Sequence, residues 1–324
     1  MITLLRNFQS RNLIFSFIFL FLYGCSAFTA VPWRPFIFNQ PYSKRLEHNL
    51  LKHPENMIKT SSKISVTALH SGDLRVRLSG TINLKHPRCI GMKDRELLVP
   101  VYAYLVRHER FGCFLIDTGC DASYINNVFG PMRGILLPLV MSVTILKPHE
   151  AIDQQLLKHV SSLNEIRAVF FTHLHLDHTS GLPSLPDDVL LVCGEGESSL
   201  SIPLLLEPRH FNNKKRVYTL DFNSDYALSS KLGKAIDIFG DSSFWALSTQ
   251  GHSKGHVSFL VNTISGPVLV AGDASILNLG MERGVGPGTY SMDVDMAQKT
   301  MDRLYASKRL FPRLRIWSGH DAPE

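Results

Sequence analysis

The sequence has 324 residues, 44% of them hydrophobic and 19% charged, and a formal net charge of +6. That is enough apolar material for one large core and too much for a disordered chain. The Lys and Arg residues are scattered rather than gathered into a stripe, which argues against a nucleic-acid surface and fits a small-molecule substrate.

At the N-terminus, Arg6 and Arg11 precede an apolar run from Leu13 to Tyr23, interrupted only by Ser16 and followed by small residues. This is the order of an export signal. As a helix the run would span about 16 Å, roughly half a bilayer core, so it is too short for a permanent anchor. Leu22-Tyr23-Gly24-Cys25 resembles a bacterial lipobox, with ordinary cleavage near Ala27 or Ala30 as the alternative. Residues 1–30 are therefore expected to be an export signal. The protein is expected in the periplasm, tethered to a membrane through a lipidated Cys25, or secreted. Residues 31–63 carry Pro32, Pro35, Pro41 and Pro54 without a sustained period, and read as a linker or irregular strap. Residues 64–324 are expected to form one catalytic domain.

Within that domain, apolar runs predict strands over Leu97–His108, Cys113–Asp117 and Ala168–Thr172, then Val189–Cys193, Phe244–Ser248, Val257–Asn262, Val268–Ala271 and Arg315–Trp317. Helices are predicted over Glu150–Leu163 and Val294–Ala306, the second amphipathic and assigned to packing. The mixture predicts layered α and β structure with buried strands. Between Asn127 and Lys147 an apolar stretch broken by Gly and Pro fits either a wall for an acyl chain or plain core. Cys89, Cys113, Cys120 and Cys193 sit at no metal-finger spacing and read as buried hydrophobes rather than a disulfide framework.

Four polar clusters each follow an apolar run, so strands of a common sheet would deliver them to one edge. The strongest is Thr172-His173-Leu174-His175-Leu176-Asp177-His178, three imidazoles and a carboxylate in six residues. Two His at i and i+2 past a strand end point the same way and can converge on one ion, while Asp177 and His178 lie beyond, placed for a second. Gly251-His252 and Gly255-His256 come next. Taken singly each is an ordinary loop, but His173 and His175 need a third ligand to make a catalytic zinc site with one position open. Gly272-Asp273 offers a carboxylate able to bridge two cations, and Gly319-His320 a further imidazole.

These clusters resemble the metallo-β-lactamase superfamily, whose pattern runs H-x-H-x-D-H, a later Gly-His, a later Asp and a last His. The resemblance covers most of the chain from about Ile64. It implies an α/β fold, a four-layer αβ/βα sandwich, with metals at the sheet edge. It implies that His173, His175 and His252 hold a first ion, that Asp177, His178 and His320 hold a second, and that Asp273 bridges them. Asp117 matches the family's early Asp-Thr-Gly and is expected to orient a ligand. His256 matches the second Gly-His and is expected behind the ligands rather than among them. The cofactors are expected to be two divalent metal ions, zinc first, with iron, manganese or cobalt as alternatives.

Two ions sharing a water lower its pKa and supply hydroxide, and Asp177 is the natural group to accept or donate a proton. Among relatives, His175 stands where oxygen-reducing di-iron members carry Glu, which implies hydrolysis. Asp273 resembles the lactonase, thioesterase and phosphodiesterase branches, since true β-lactamases lack that carboxylate. The helical domain that glyoxalase II relatives carry after the last His is not expected. The tail Gly-His-Asp resembles the N-acyl-homoserine lactonases, so an ester or lactone is the expected substrate. A phosphodiesterase, thioesterase or β-lactamase-like activity is the alternative, and a non-catalytic metal-binding protein is the reading from another class. The lactonases place a Tyr three residues beyond the bridging Asp, where this chain has Ile276; Tyr290 in the following loop is the candidate replacement.

Overall fold

The computed structural model describes residues 25–26, 29–33, 57–59, 63–135, 137, 144–201, 209–214 and 216–323. The positively charged start and the apolar run of the expected export signal lie outside these residues, as does part of the apolar stretch between Asn127 and Lys147. Among the described residues no helix is long and apolar enough to cross a membrane.

Two sheets dominate. The first contains β2 (Thr29–Pro32), β3 (Ile64–Arg77), β4 (Glu96–His108), β5 (Gly112–Ile116), β6 (Thr144–Ile145), β7 (Ile166–Phe170), β8 (Leu190–Gly194) and β10 (Arg216–Leu220), in the order β2-β10-β8-β7-β5-β4-β3-β6. The second holds β11 (Leu228–Ser230), β12 (Gly233–Asp237), β13 (Phe244–Ser248), β14 (Val257–Thr263), β15 (Gly266–Gly272) and β16 (Arg315–Ser318), in sequence order. A two-residue bridge, β1 (Cys25–Ser26) with β9 (Leu200–Ser201), lies apart. The helices are α1 (Leu78–Thr81), α2 (Ile152–Leu156), α3 (Leu176–Thr179), α4 (Asn278–Arg283) and α5 (Val294–Leu310).

The alternation of side chains along each strand builds the layers. Phe114, Ile116, Phe170 and Val192 point from the first sheet into a core shared with Phe244, Phe259, Val261, Val268 and Val270 of the second. The Phe170 ring lies 5.1 Å from Phe244 and 5.8 Å from Phe259. The intervening Leu115, Val169 and Leu191 face the other way, onto Ile152 and Leu156 of α2. On the second sheet, Trp245, Leu247, Leu260 and Leu269 turn outward onto Met301 and Leu304 of α5. Helix, sheet, sheet, helix is the four-layer order expected. Strands buried on both faces explain why these segments read as continuous apolar runs rather than alternating ones. α5 is set by Asp293, whose side chain accepts from Met296 N at 2.8 Å, and it buries Ala297, Thr300, Met301 and Leu304 at helical spacing.

Two expectations need correction. The helix expected over 150–163 shrinks to Ile152–Leu156, because Ser162 and Glu165 form a capping box that starts a separate 3-10 turn over Leu163–Glu165. The linker expected over 31–63, and the border at residue 30, also shift: Thr29–Pro32 pairs in parallel with Arg216–Thr219 as an edge strand. Trp33 then enters the core between the sheets, and Met57 is buried under the second sheet. Local pattern could not reveal this, since the partner strand lies far away in sequence. The four body cysteines are free.

Candidate metal centre

The site collects at one edge because β5, β7 and β8 run parallel in one sheet, and β15 and β16 run parallel in the other. Parallel strands bring the residues just past their C-terminal ends to the same edge. β5 delivers Asp117, β7 delivers His173 and His175, β15 delivers Asp273 and β16 delivers His320. The turn between β13 and β14 adds His252, and α3 carries Asp177 and His178 in a single turn.

The seven expected ligands come together in two groups. His173, His175, His252 and Asp273 offer atoms within 4.8 Å of one another, and so do Asp177, His178 and His320. In the first, His252 Nε2 is 3.0 Å from His175 Nδ1 and 3.3 Å from Asp273 Oδ2, which is 3.9 Å from His173 Nε2. In the second, Asp177 Oδ2 is 3.2 Å from His320 Nε2 and 3.4 Å from His178 Nε2. Asp273 Oδ1 reaches that group, 3.4 Å from His320 Nε2 and 3.7 Å from His178 Nε2. One carboxylate oxygen therefore faces each group. Ligands at about 2.0–2.1 Å from a tetrahedral ion stand about 3.3 Å apart, close to these spacings.

Hydrogen bonds fix which nitrogen faces inward. Thr172 Oγ1 spends its one proton on Asp117 Oδ2 (2.8 Å), so it accepts from His173 Nδ1 at 3.1 Å. His178 Nδ1 donates to Asp117 Oδ2 at 2.8 Å, and His320 Nδ1 donates to Pro100 O at 2.8 Å. In all three rings Nε2 is left facing the other ligands. His173 Nε2, His178 Nε2 and Asp273 Oδ1 are buried without a hydrogen-bond partner. Orphaned polar atoms cost about 1–3 kcal/mol each, and their convergence is what a cation would satisfy. The donor set fits divalent metal.

The electrostatics divide the same way. Burial, reinforced by the neighbouring imidazoles, holds His173 and His252 well below the usual histidine range. Around His178, burial opposes the charge but Asp177 and Asp117 outweigh it, so it is raised well above that range. Burial likewise opposes charge on His320, and Asp273 and Asp177 push it up to about 10. Asp177 and Asp273 are held low against burial, Asp177 chiefly by His178 and Asp273 chiefly by His320. The second group thus strongly favours positive charge, and a divalent ion competes there with protons for the same lone pairs.

Asp117 stands where it orients His178, and its φ of 56° is held by Thr172 N, which donates to Oδ1 at 2.7 Å. His256 belongs to neither group. It is buried, with its ring 5.2 Å from His173 and its Nδ1 2.8 Å from Thr249 Oγ1. A close approach explains Gly319: a Cβ there would stand 2.3 Å from Asp273 Oδ1. Ile276 is buried with Leu74, Val99 and Val101. The Tyr290 hydroxyl accepts from Arg77 N at 2.9 Å, which leaves its own proton free to donate. The side chain most open to solvent in these pairs is Asp177, 19% exposed against 7% or less for His178, His320 and Asp273.

Glu197 was not anticipated from sequence. It lies past β8 and accepts from Leu174 N at 3.0 Å, from Gly255 N at 2.9 Å and from the Ser253 hydroxyl. Burial pushes its carboxyl up. An acidic residue just after a predicted strand was the available signal, the same one that marked Asp117 and Asp273.

Known proteins resemble this chain in sequence and in fold. The metallo-β-lactamase superfamily sequence model matches residues 97–189, from β4 through the H-x-H-x-D-H segment. The γ-lactamase MBL2 of Gibberella moniliformis is 36% identical over 123 residues, 35% of this chain and 51% of that protein. The γ-lactamase FDB1 of Fusarium pseudograminearum is 29% identical over 120 residues, 34% of this chain and 29% of FDB1. The chain thus spans about half or less of these relatives. The N-acyl homoserine lactonase AttM of Agrobacterium fabrum is 26% identical over 268 residues, 80% of this chain and 93% of that protein. Among solved structures, a point mutant of B. thuringiensis AiiA with N-decanoyl-L-homoserine bound at the active site superposes with a TM-score of 0.61 at 21% identity. It covers 81% of this chain and 94% of its own.

Proposed function

We propose that the chain is a metal-dependent hydrolase of the metallo-β-lactamase superfamily that opens a cyclic ester, with an N-acyl-homoserine-type lactone as first candidate. The observation that carries the reading is the pair of ligand groups joined by Asp273, one oxygen to each. His173, His175 and His252 would hold one ion, Asp177, His178 and His320 the other. Zinc suits this set of imidazoles and carboxylates. When bound, two such ions polarise a substrate carbonyl and lower the pKa of a shared water toward neutrality.

The chain's own residues do the rest. Asp117 and the Pro100 carbonyl hold His178 and His320 in one tautomer and one orientation. Asp177, the solvent-facing carboxylate, is placed to take the proton of the attacking water and return it to the leaving oxygen. His175 is also partly exposed. The apolar burial of Ile276 leaves the lactonase tyrosine without a counterpart at that position. A second reading, opening of a γ-lactam, is favoured by the named activity of MBL2 and FDB1. We also propose export, on the N-terminal pattern alone.

The test is hydrolysis by the metal-loaded chain of an acyl-homoserine lactone, a γ-lactam, an aryl ester and a phosphodiester, each with and without chelator. Chelator-sensitive lactone opening well above the others is expected, with His175→Ala and Asp177→Ala each reducing it on the order of 100-fold or more. A preference for the lactam would select the second reading. Activity that ignores chelator and both substitutions would sink the hydrolase mechanism.

A further inference from the structure

We propose that Glu197 is a positioning residue for the first ligand group: its carboxylate ties the loop carrying His173 and His175 to the loop carrying His252. The assignment rests on the dinuclear reading above. Oε2 accepts from Leu174 N, which lies between the two histidines of the first loop. Oε1 accepts from Gly255 N and from the hydroxyl of Ser253, the residue next to His252. One side chain thus grips two segments about 80 residues apart in sequence, and all three partners are donors, which suits a carboxylate and nothing that carries its own N–H.

The backbone supports the same docking. A Cβ on Gly194 would stand 1.8 Å from Gly255 O, and one on Gly255 would stand 2.6 Å from Glu195 O. The 194–197 turn and the 252–256 turn are therefore in direct main-chain contact, and only glycine permits that approach.

The first group depends on such a clamp more than the second. In the second, Asp117 orients His178 and Pro100 O orients His320 through their rings. In the first, Thr172 Oγ1 orients His173, but the hydrogen-bond-range contact of His175 is His252 itself, at 3.0 Å, and His252 Nδ1 is buried without a partner. Where the rings are not held by outer partners, the backbone of their loops must place them. Outer partners of metal ligands change affinity by about 10–100-fold when removed.

The experiment is titration of the metal-free full chain with cobalt(II) chloride, followed by visible absorption and by calorimetry, with melting of the metal-free protein alongside. The wild-type chain is expected to bind two equivalents. Glu197→Gln keeps the shape but sets an amide N–H against a donor. It should bind one equivalent as the wild type does and the other about 10–100-fold more weakly, with a changed absorption band. Ser253→Ala, which removes one donor and leaves the backbone intact, should shift the same step by a smaller factor. Glu195→Gln, on the same turn, should leave both steps unchanged. Wild-type affinities at both steps in Glu197→Gln and Ser253→Ala would overturn the assignment. So would equal weakening of both steps that merely follows a lower melting temperature. If the wild-type chain binds no cobalt, the dinuclear reading itself fails and this assignment falls with it.

Discussion

Asp117 shows how much a single side chain can be asked to do. One carboxylate accepts from Thr172 N, from the Thr172 hydroxyl and from His178 Nδ1, so the end of β7 and His178 of the second group are fixed together. Its backbone sits at φ 56°, a conformation Asn adopts as readily as Asp. Asp117→Asn should therefore fold, yet present an amide where His178 needs an acceptor. We expect metal affinity at the second group, or hydrolysis, to fall about 10–100-fold with little change in melting temperature. Unchanged metal titration in that variant would show that Asp117 serves the fold alone.

At the scale of elements, α3 is only one turn long and cannot be stable by itself. It is held from behind by His210, whose Nδ1 is 2.9 Å from Thr179 Oγ1 and whose Nε2 is 3.0 Å from the Tyr124 hydroxyl; Ser180 Oγ donates to that same hydroxyl at 2.9 Å. Burial lowers the His210 pKa to about 3 from the ordinary 6.5. In that interval the unfolded chain binds the extra proton and the folded chain does not, so stability falls as pH falls. The slope from this residue is up to about 1.4 kcal/mol per pH unit below about pH 6.5, flattening near pH 3. Chemical denaturation of His210→Gln against pH should show a shallower acid loss than the wild type. An identical slope would mean that His210 is not the group responsible.

For the molecule as a whole, the largest departure from expectation is the N-terminal segment. Thr29–Pro32 completes the edge of the first sheet, and Trp33 packs edge-on against Phe170 and Tyr218, with ring centroids 6.2 and 6.4 Å away. A linker residue could be truncated freely, but a buried Trp cannot. Trp33→Ala should destabilise by about 3–5 kcal/mol in equilibrium denaturation, without altering the number of metal ions bound. A loss below about 0.5 kcal/mol, the range of surface changes, would return residues 31–33 to the role of a strap.

The sequence by itself determined the parts that rest on local pattern. Apolar runs leading at once into polar clusters located the strands and placed His173, His175, Asp177, His178, His252, Asp273 and His320 at their ends, because hydrophobic periodicity and ligand spacing operate over a few residues. It also separated Asp117 and His256 from the ligands, through their likeness to a known pattern. What only the tertiary structure decided is whatever depends on contacts between distant segments. Examples are which oxygen of Asp273 faces which group, that the Tyr290 hydroxyl accepts from Arg77 N, that Glu197 grips two loops, and that β2 pairs with β10. The short α2 belongs with these, since a capping box at Ser162 competes with a helical pattern that taken alone runs on to residue 163. Non-local pairing leaves no period in the segments that make it, and is fixed only when the sheets close and bury both faces.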